Sequence, residues 1–208
     1  MRFLITSGGT REYIDPVRFI SNASSGMMGC ALARAALAAG HRVTVITAPT
    51  SIKPPQKAHV VNVVSAKDMY EAVRREFASC DCLIMAAAVS DYTPTRKSAT
   101  KIKKGAPTLT LQLKRTVDIL PWASSRKKHR IVVGFALEDK HLRRRAEMKL
   151  TDKNLDMIIA NSPSAIGAAE SSVLVKTPDH DWIALENTGK TAIARRIIRI
   201  VEQLGQAK

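Results

Sequence analysis

Aromatic side chains, cysteines and long apolar runs are all scarce in this chain of 208 residues. Aromatic residues make up 4% of it, too few for the row of stacked rings on which many proteins bind single-stranded nucleic acid. The 3 cysteines are odd in number and lack zinc-ligand spacing, which indicates reduced thiols. No segment reaches the ~18 apolar residues of a membrane-spanning helix, and the short apolar stretch after Met1 is not typical of a signal peptide. The composition favours a cytoplasmic globular protein without a membrane partner.

Acidic residues are also few. The chain has 18 aspartates and glutamates and 33 lysines and arginines, which gives a formal net charge of +15. Much of the excess lies in two runs, residues 126–130 and 140–145. A basic stripe can bind nucleic acid, so a nucleic-acid-associated protein stays an alternative. Neither run contains a helix-turn-helix or another base-reading pattern. We therefore expect solvated helix faces that attract anionic substrates, and no nucleic-acid partner.

Strands and helices alternate along most of the chain, which predicts an α/β fold. The expected architecture is a Rossmann-like, doubly wound, mostly parallel sheet that binds ligands at the carboxyl ends of its strands. Residues 92–118, rich in Lys, Thr and Pro, interrupt the alternation and predict a small lobe, here called the flap, with one strand at 108–114. Residues 171–187 predict a C-terminal antiparallel hairpin turned at Pro178-Asp179. We expect residues 1–208 to form a single domain. Strands are predicted at 2–8, 41–48, 59–66, 80–89, 130–138 and 155–161, and helices at 24–40, 66–79, 118–125, 140–150 and 189–204.

Residues 1–29 carry the densest set of polar groups. A strand runs into a Gly-rich turn, a loop with two arginines follows, and Ser24-Ser25-Gly26 opens a helix. Backbone N–H groups at such a helix start form an anion site, and Ser24 or Ser25 is the expected N-cap. The turn lacks the GxGxxG spacing and no acidic residue ends the second strand, which disfavours an NAD-linked oxidoreductase.

Small residues at the end of a predicted buried strand indicate a nucleotide site. Ala87 and Ala88 let a nucleotide lie against the backbone, and Asp91 is placed to hold a ribose hydroxyl or a Mg²⁺ ion that bridges phosphates. A solvated loop aspartate is an equally consistent interpretation.

Two basic groups in the second half of the chain have similar alternatives. Lys101, in the flap run Lys101-Ile102-Lys103-Lys104, either closes over a triphosphate or belongs to a solvated charge run. Lys149 and Lys153 stand four residues apart and either reach one phosphate group or complement a helix dipole. Phe135 at a strand end either faces a base or belongs to the core.

In this order and spacing the clusters resemble the bacterial phosphopantothenoylcysteine synthetase family over residues 3–204. The resemblance implies a ligase of coenzyme A biosynthesis that joins phosphopantothenate to cysteine. A nucleotide, CTP more than ATP, activates the carboxylate as an acyl-nucleotidylate with release of pyrophosphate, and the cysteine amine then displaces the monophosphate. It further implies Mg²⁺, and a homodimer in which the flap lobes take part. The motifs that carry it are SGGTRE (7–12), DPVRFISNASSG (15–26), AAAVSDY (86–92), KIKK (101–104) and AEMKLTDKNLDMIIAN (146–161).

The resemblance also implies roles for single residues. The catalytic pair is Asn22, which contacts the reacting carboxylate or acyl intermediate, and Lys101, which reaches the triphosphate. Asp91 lies nearest the metal. The domain is often fused behind a flavin-dependent decarboxylase, whereas we expect a stand-alone chain here, without flavin, whose decarboxylase partner is separate. Substrate binding falls to Arg18, Ser24, Ser25, Gly26 and Ala88, and nucleotide binding to Gly8, Ala87, Asp91, Lys101, Phe135, Lys149 and Lys153.

The chain departs from the family pattern at several positions. Met27 occupies the basic position of SSGKMG, so a cation near the anion site is lost. The stretch after the flap, residues 114–120, is one residue longer than the family's K-N-x-D-I-L, and Leu137 and Asp139 alter GFAAET. A non-catalytic relative or regulator that binds the nucleotide or phosphopantothenate is therefore an alternative, which turnover would exclude.

Overall fold

The computed structural model describes residues 1–105, 107–163 and 170–206. Within these ranges it contains five α-helices and twelve β-strands, with a 3₁₀ turn at Phe77–Ser79. The helices are α1 (Met27–Ala38), α2 (Ala66–Glu76), α3 (Ile119–Ser124), α4 (Leu142–Asp152) and α5 (Lys190–Gln206). The strands are β1 (Arg2–Ser7), β2 (Arg11–Tyr13), β3 (Phe19–Ser21), β4 (Arg42–Thr47), β5 (His59–Asn62), β6 (Cys82–Met85), β7 (Tyr92–Pro94), β8 (Leu113–Arg115), β9 (Ile131–Leu137), β10 (Met157–Asn161), β11 (Glu170–Lys176) and β12 (Ile183–Gly189).

Eight of these strands form one sheet in the order β12-β11-β10-β9-β6-β1-β4-β5. The strands from β10 to β5 are all parallel to their neighbours, whereas β11 and β12 form an antiparallel hairpin at one edge. The chain first builds outward from β1 through β4 and β5, and then returns to β6 on the other side of β1. This arrangement confirms the predicted α/β fold with its C-terminal hairpin. The point between β1 and β6 where the strand order reverses is where open sheets of this type bind ligands.

Both faces of the sheet are covered by helices, which explains the continuous apolar runs of its central strands. Phe3 and Ile5 belong to a core cluster with α1 and α5, whereas Leu4 belongs to a second cluster with α2, α3 and α4. Met69 and Val73 of α2 are fully buried in that second cluster. Within the described residues, none of the helices combines the length and apolar character that crossing a bilayer needs.

The starts of α1 and α2 differ in how their backbone N–H groups are satisfied. Ser65 and Asp68 form a reciprocal capping box at the start of α2. In contrast, α1 begins after Gly26, whose φ of 74° is left-handed, and no side chain caps it. The prediction that Ser24 or Ser25 is the N-cap is therefore wrong, because the turn at Gly26 places both serines ahead of the cap position. Ser25 still contributes, because its Oγ accepts the N–H of Met27, the first residue of α1, at 3.4 Å.

The flap and the loop after β1 differ from the sequence expectations. The flap strands are β7 and β8, which pair antiparallel, so a strand over 108–114 is wrong except for its last two residues. The alternating leucines at 109, 111 and 113 are all exposed, and alternation specifies a strand only where one face is buried. The loop after β1 contains the hairpin β2–β3, which the sequence did not predict.

Candidate functional site

A cavity of about 880 Å³ opens at the carboxyl ends of β6, β9 and β10, beside the reversal point of the strand order. Its walls come from the start of α1, the loop after β6, the base of the flap and the exposed end of α4. The sequence-predicted residues on these walls are Asn22, Ser24, Ser25, Gly26, Ala87, Ala88, Asp91, Phe135, Lys149 and Lys153. Distant parts of the chain thus meet at one site.

The start of α1 forms one wall of the cavity and is held in place from two sides. Ser7 donates its hydroxyl proton to the carbonyl of Gly26 at 3.1 Å, and Thr50 donates to the carbonyl of Ser25 at 2.6 Å. The positive end of the helix dipole and the backbone N–H groups of the first turn together favour an anion here. Met27 also lines this wall. The basic residue of the family pattern, which Met27 replaces here, would therefore lie at the cavity.

Asn22 joins the α1 wall to the loop after β6. Its amide nitrogen donates to the carbonyls of Ala88 and Val89 at 3.4 and 3.2 Å. Gly8 lies behind this loop rather than on the wall, and its carbonyl accepts a hydrogen bond from the N–H of Ala88 at 2.8 Å. A Cβ at Gly8 would stand 2.8 Å from the carbonyl oxygen of Ala48, and its φ is +81°. The structure therefore places Gly8 as a support of the Ala88 loop.

Two lysines form the cationic wall opposite α1. Lys149 donates to the backbone carbonyl of Phe135 at 2.7 Å, and Lys153 donates to the carboxylate of Asp118. Burial, and then the nearby charge of Lys153, lower the pKa of Lys149 below its usual value. A bound anion would offset both effects, so this wall is suited to phosphate groups.

Asp91 presents an exposed carboxylate on the cavity wall next to the flap. Among the described residues no three His, Cys, Asp or Glu side chains gather into an all-protein metal cage. Magnesium in nucleotide sites is usually held by one or two carboxylates together with phosphate oxygens. The carboxylate of Asp91 fits that kind of shared coordination, whereas the two other carboxylates on the wall, Asp118 and Glu138, are ion-paired with Lys153 and Arg145.

Arg18 and Lys101 lie outside the cavity wall. Arg18 is paired with the buried Asp15, and its guanidinium donates to the carbonyl of Ile102 at 2.7 Å. Lys101 is exposed in the flap. Of the flap residues that the structure describes, those at its base, which include Tyr92 and Arg115, border the cavity.

The cavity also contains Ser171 and Lys190, which the sequence analysis missed. The hydroxyl of Ser171 is buried and has no hydrogen-bond partner within residues 1–105, 107–163 and 170–206, and burial lowers the pKa of Lys190. A lysine as the first residue of a helix opposes the helix dipole. This unfavourable position of Lys190 could have identified it from the sequence, because residues that violate a local structural preference often belong to a functional site.

The basic run 126–130 is largely engaged within the molecule. Arg126 donates to Ser125 at 2.8 Å, and Lys127 pairs with Asp156 at 3.2 Å. Arg130 donates to the carbonyl of Ala78 at 2.7 Å. These contacts explain the run structurally, and they weaken the case for a free nucleic-acid-binding stripe.

Fold and cavity together define an α/β protein with a cleft suited to anions at the switch point of a doubly wound sheet. Residues 1–204 match the model of the DNA/pantothenate metabolism flavoprotein C-terminal domain, and the chain belongs to that family.

Individual relatives agree with this assignment. The chain is 48% identical over 166 residues to the coenzyme A biosynthesis bifunctional protein CoaBC of Bacillus subtilis strain 168, over 79% of this chain and 41% of that protein. A crystal structure of the C-terminal domain of CoaBC has a TM-score of 0.86 and 36% identity, and covers 100% of this chain and 96% of that one. A Cab2 mutant in complex with phosphopantothenate-cysteine shares the fold, with a TM-score of 0.80 at 20% identity over 98% of this chain and 87% of that one. The chain spans about half the length of the curated relatives it matches.

Proposed function

We propose that this protein is a phosphopantothenate–cysteine ligase of coenzyme A biosynthesis. The observation that carries the proposal is the meeting of an anion-binding helix start and a pair of lysines across one cavity. A substrate with phosphate at one end and a nucleotide with a triphosphate need two such anionic subsites. The family membership and the coenzyme A role in the name of its Bacillus subtilis relative support the same conclusion.

In the first half-reaction the substrate carboxylate attacks the α-phosphorus of the nucleotide. A carboxylate O–P bond forms, the bond to the bridging oxygen of pyrophosphate breaks, and pyrophosphate leaves with the electron pair. Lys149 and Lys153 stabilise the negative charge on the phosphates, and Asn22 orients the carboxylate. Asp91 would hold Mg²⁺, which when bound neutralises phosphate charge.

In the second half-reaction the amine of cysteine attacks the acyl carbon. A C–N bond forms, the C–O bond to the nucleotide breaks, the amine loses a proton, and the nucleoside monophosphate departs. Asn22 contacts the acyl group from the wall in both steps, with its amide nitrogen held on the carbonyls of Ala88 and Val89. Ser24, Ser25 and Gly26 bind the phosphate of the substrate at the start of α1. In the family pattern Arg18 binds the substrate and Gly8 binds the nucleotide. In this protein Gly8 contributes by supporting the Ala88 loop.

CTP is the proposed nucleotide, as the family resemblance implies, with ATP as the alternative. Ala87 and Ala88 give the nucleotide close access to the backbone, and Phe135 lies at the strand end beside Lys149. Lys101 reaches the triphosphate from the flap. These assignments rest on the match to the family motifs and on the position of the walls.

The assembly is proposed to be a homodimer of one-domain chains in the cytoplasm. Leu109, Leu111 and Leu113 of the flap are exposed, with 56%, 37% and 42% of their surface accessible. Exposed apolar side chains in a row are typical of interaction surfaces. A decarboxylase would consume the product. Light scattering after size-exclusion chromatography tests the dimer, and a monomer at all concentrations would exclude it.

Pyrophosphate release tests the activity directly. The purified chain is mixed with phosphopantothenate and Mg²⁺, with CTP or with ATP, and cysteine is then added. We expect pyrophosphate that depends on phosphopantothenate, faster with CTP, and monophosphate release only after cysteine is added. Binding of both substrates without pyrophosphate would identify a non-catalytic relative. Salt-sensitive binding to generic DNA, with no affinity for either substrate, would favour a nucleic-acid-associated protein.

A further inference from the structure

The hairpin β2–β3 contacts the flap through the ion pair of Asp15, which is buried, and Arg18, which is partly exposed. The carboxylate of Asp15 is fully buried and accepts hydrogen bonds from the backbone N–H groups of Val17 and Arg18, each at 2.8 Å. Its second oxygen accepts from Nε of Arg18 at 2.9 Å. The side-chain bond from Arg18 holds the pKa of Asp15 well below its usual range, so the pair stays charged.

The same pair holds both backbone groups of Ile102. The N–H of Ile102 donates to the Asp15 carboxylate at 3.2 Å, and the carbonyl of Ile102 accepts from the Arg18 guanidinium at 2.7 Å. Ile102 is the residue next to Lys101. Charge-assisted hydrogen bonds of this kind are about twice as strong as neutral ones.

Two further contacts fix the flap to this hairpin. The N–H of Ser98 donates to the carbonyl of Ile14 at 2.9 Å, and Nζ of Lys97 lies 5.1 Å from the ring centroid of Tyr13. The hairpin continues directly into Asn22 on the cavity wall. The same hairpin therefore leads into Asn22 and holds the backbone of the flap at the lysine run 101–104.

We propose that Asp15 and Arg18 form a clamp that positions Lys101 relative to Asn22, and that Arg18 acts through Lys101 rather than on the substrate. The clamp fixes the backbone beside Lys101 and leaves the lysine side chain exposed. This inference rests on the proposed function for the role of Lys101, but the clamp itself is a property of the fold. Arg18 is thus a positioning residue.

Proteolysis by a lysine-specific protease tests the clamp without any catalytic activity. Cleavage after Lys101, Lys103 and Lys104 requires local opening of the chain. We expect Arg18→Gln and Asp15→Asn to accelerate cleavage there by about tenfold. Arg2→Gln is the matched control, because Arg2 and Asp81 form a similar ion pair at the opposite end of the sheet. Arg18→Gln, at a 42% exposed side chain, keeps the test valid if Asp15→Asn does not fold.

A double-mutant cycle tests whether Arg18 works through Lys101. If it does, Arg18→Gln combined with Lys101→Gln has the kcat of Lys101→Gln alone, and the KM for phosphopantothenate is unchanged. Multiplicative losses, or a raised KM for phosphopantothenate, would assign Arg18 to the substrate and overturn the proposal. Unchanged proteolysis would overturn it as well. Accelerated proteolysis in a chain without ligase activity would refute the proposed function and leave the clamp standing.

Discussion

Nζ of Lys149 lies 2.7 Å from the carbonyl oxygen of Phe135 and donates a hydrogen bond to it. The bond joins α4 to the end of β9 and holds a mostly buried ammonium group on the cavity wall. Burial and the neighbouring Lys153 make this charge costly in the free protein, as its lowered pKa records. A cation held in place before the ligand arrives is pre-organised to bind phosphate.

If Lys149 binds the nucleotide as proposed, removing its ammonium group should weaken that binding. Lys149→Met keeps much of the side-chain volume but loses the charge, and hydrogen bonds to charged groups contribute about 1.5–3 kcal/mol. We therefore expect an affinity for CTP lower by about 10- to 100-fold, measured by isothermal titration calorimetry. Lys67→Met, at an 82% exposed side chain on α2, is the control and leaves the affinity unchanged. Equal CTP affinities of the two variants would contradict the assignment.

Nucleotide binding depends on pH through the same lysine. The pKa of Lys149 is lowered in the free protein, and a bound phosphate stabilises the protonated form and raises that pKa. Binding therefore takes up protons, and affinity falls as the pH rises through the lowered pKa. Below that pKa Lys149 is charged in both states and contributes no dependence. Calorimetry at alkaline pH in two buffers of different ionisation enthalpy measures the uptake, which Lys149→Met should abolish.

Met27→Lys should lower the stability of the protein and strengthen its binding of phosphopantothenate. Met27 is the first residue of α1 and lines the cavity. A lysine there opposes the helix dipole, at a cost of ~0.3–1 kcal/mol, and we expect Tm to fall by roughly 1–4 °C. The same lysine adds a charge near the phosphate of the substrate, so the KM for phosphopantothenate should fall several-fold. Met148→Lys, at an exposed methionine of α4, is the control. An unchanged KM in Met27→Lys would show that the lost cation is immaterial here.

The sequence predicted the central strands well because both of their faces are buried, so β1, β6 and β9 are marked by continuous apolar runs. The hairpin β2–β3 carries no such pattern. The hairpin depends on partners that are distant in sequence. One is Ala66, whose N–H donates to the carboxylate of Glu12 in β2 at 2.8 Å. Contacts of that kind are invisible to local periodicity.

The residues of the candidate site were likewise only partly predictable from the sequence. Asp91 lies in the loop after β6, at the carboxyl edge of the parallel sheet, where topology alone predicts a ligand site. Asn22 follows β3 of the small hairpin, and Lys149 lies in the last turn of α4, so their assignment to the site rested on the family motifs. Ser171 and Lys190 reach the cavity from the antiparallel hairpin and the last helix. Their position depends on how that hairpin packs at the sheet edge, and sequence spacing does not determine this.

The contact between Gly29 and Ser7 sets how closely α1 approaches β1. A Cβ at Gly29 would stand 2.5 Å from the hydroxyl oxygen of Ser7 and 3.0 Å from its Cα. Gly29→Ala must therefore push the start of α1 away from the sheet, and overpacking of this kind costs about 1–3 kcal/mol. We expect a lower free energy of unfolding by urea and, because the anion site moves with the helix, a higher KM for phosphopantothenate. Gly205→Ala is the matched control, since its Cβ would meet only the flexible end of Met1 and the methyl of Ile131. That variant should be neutral or slightly more stable, because alanine favours helix over glycine by ~1 kcal/mol. If Gly29→Ala unfolds at the same urea concentration as Gly205→Ala, the close approach of α1 to β1 is not what holds the anion site in place.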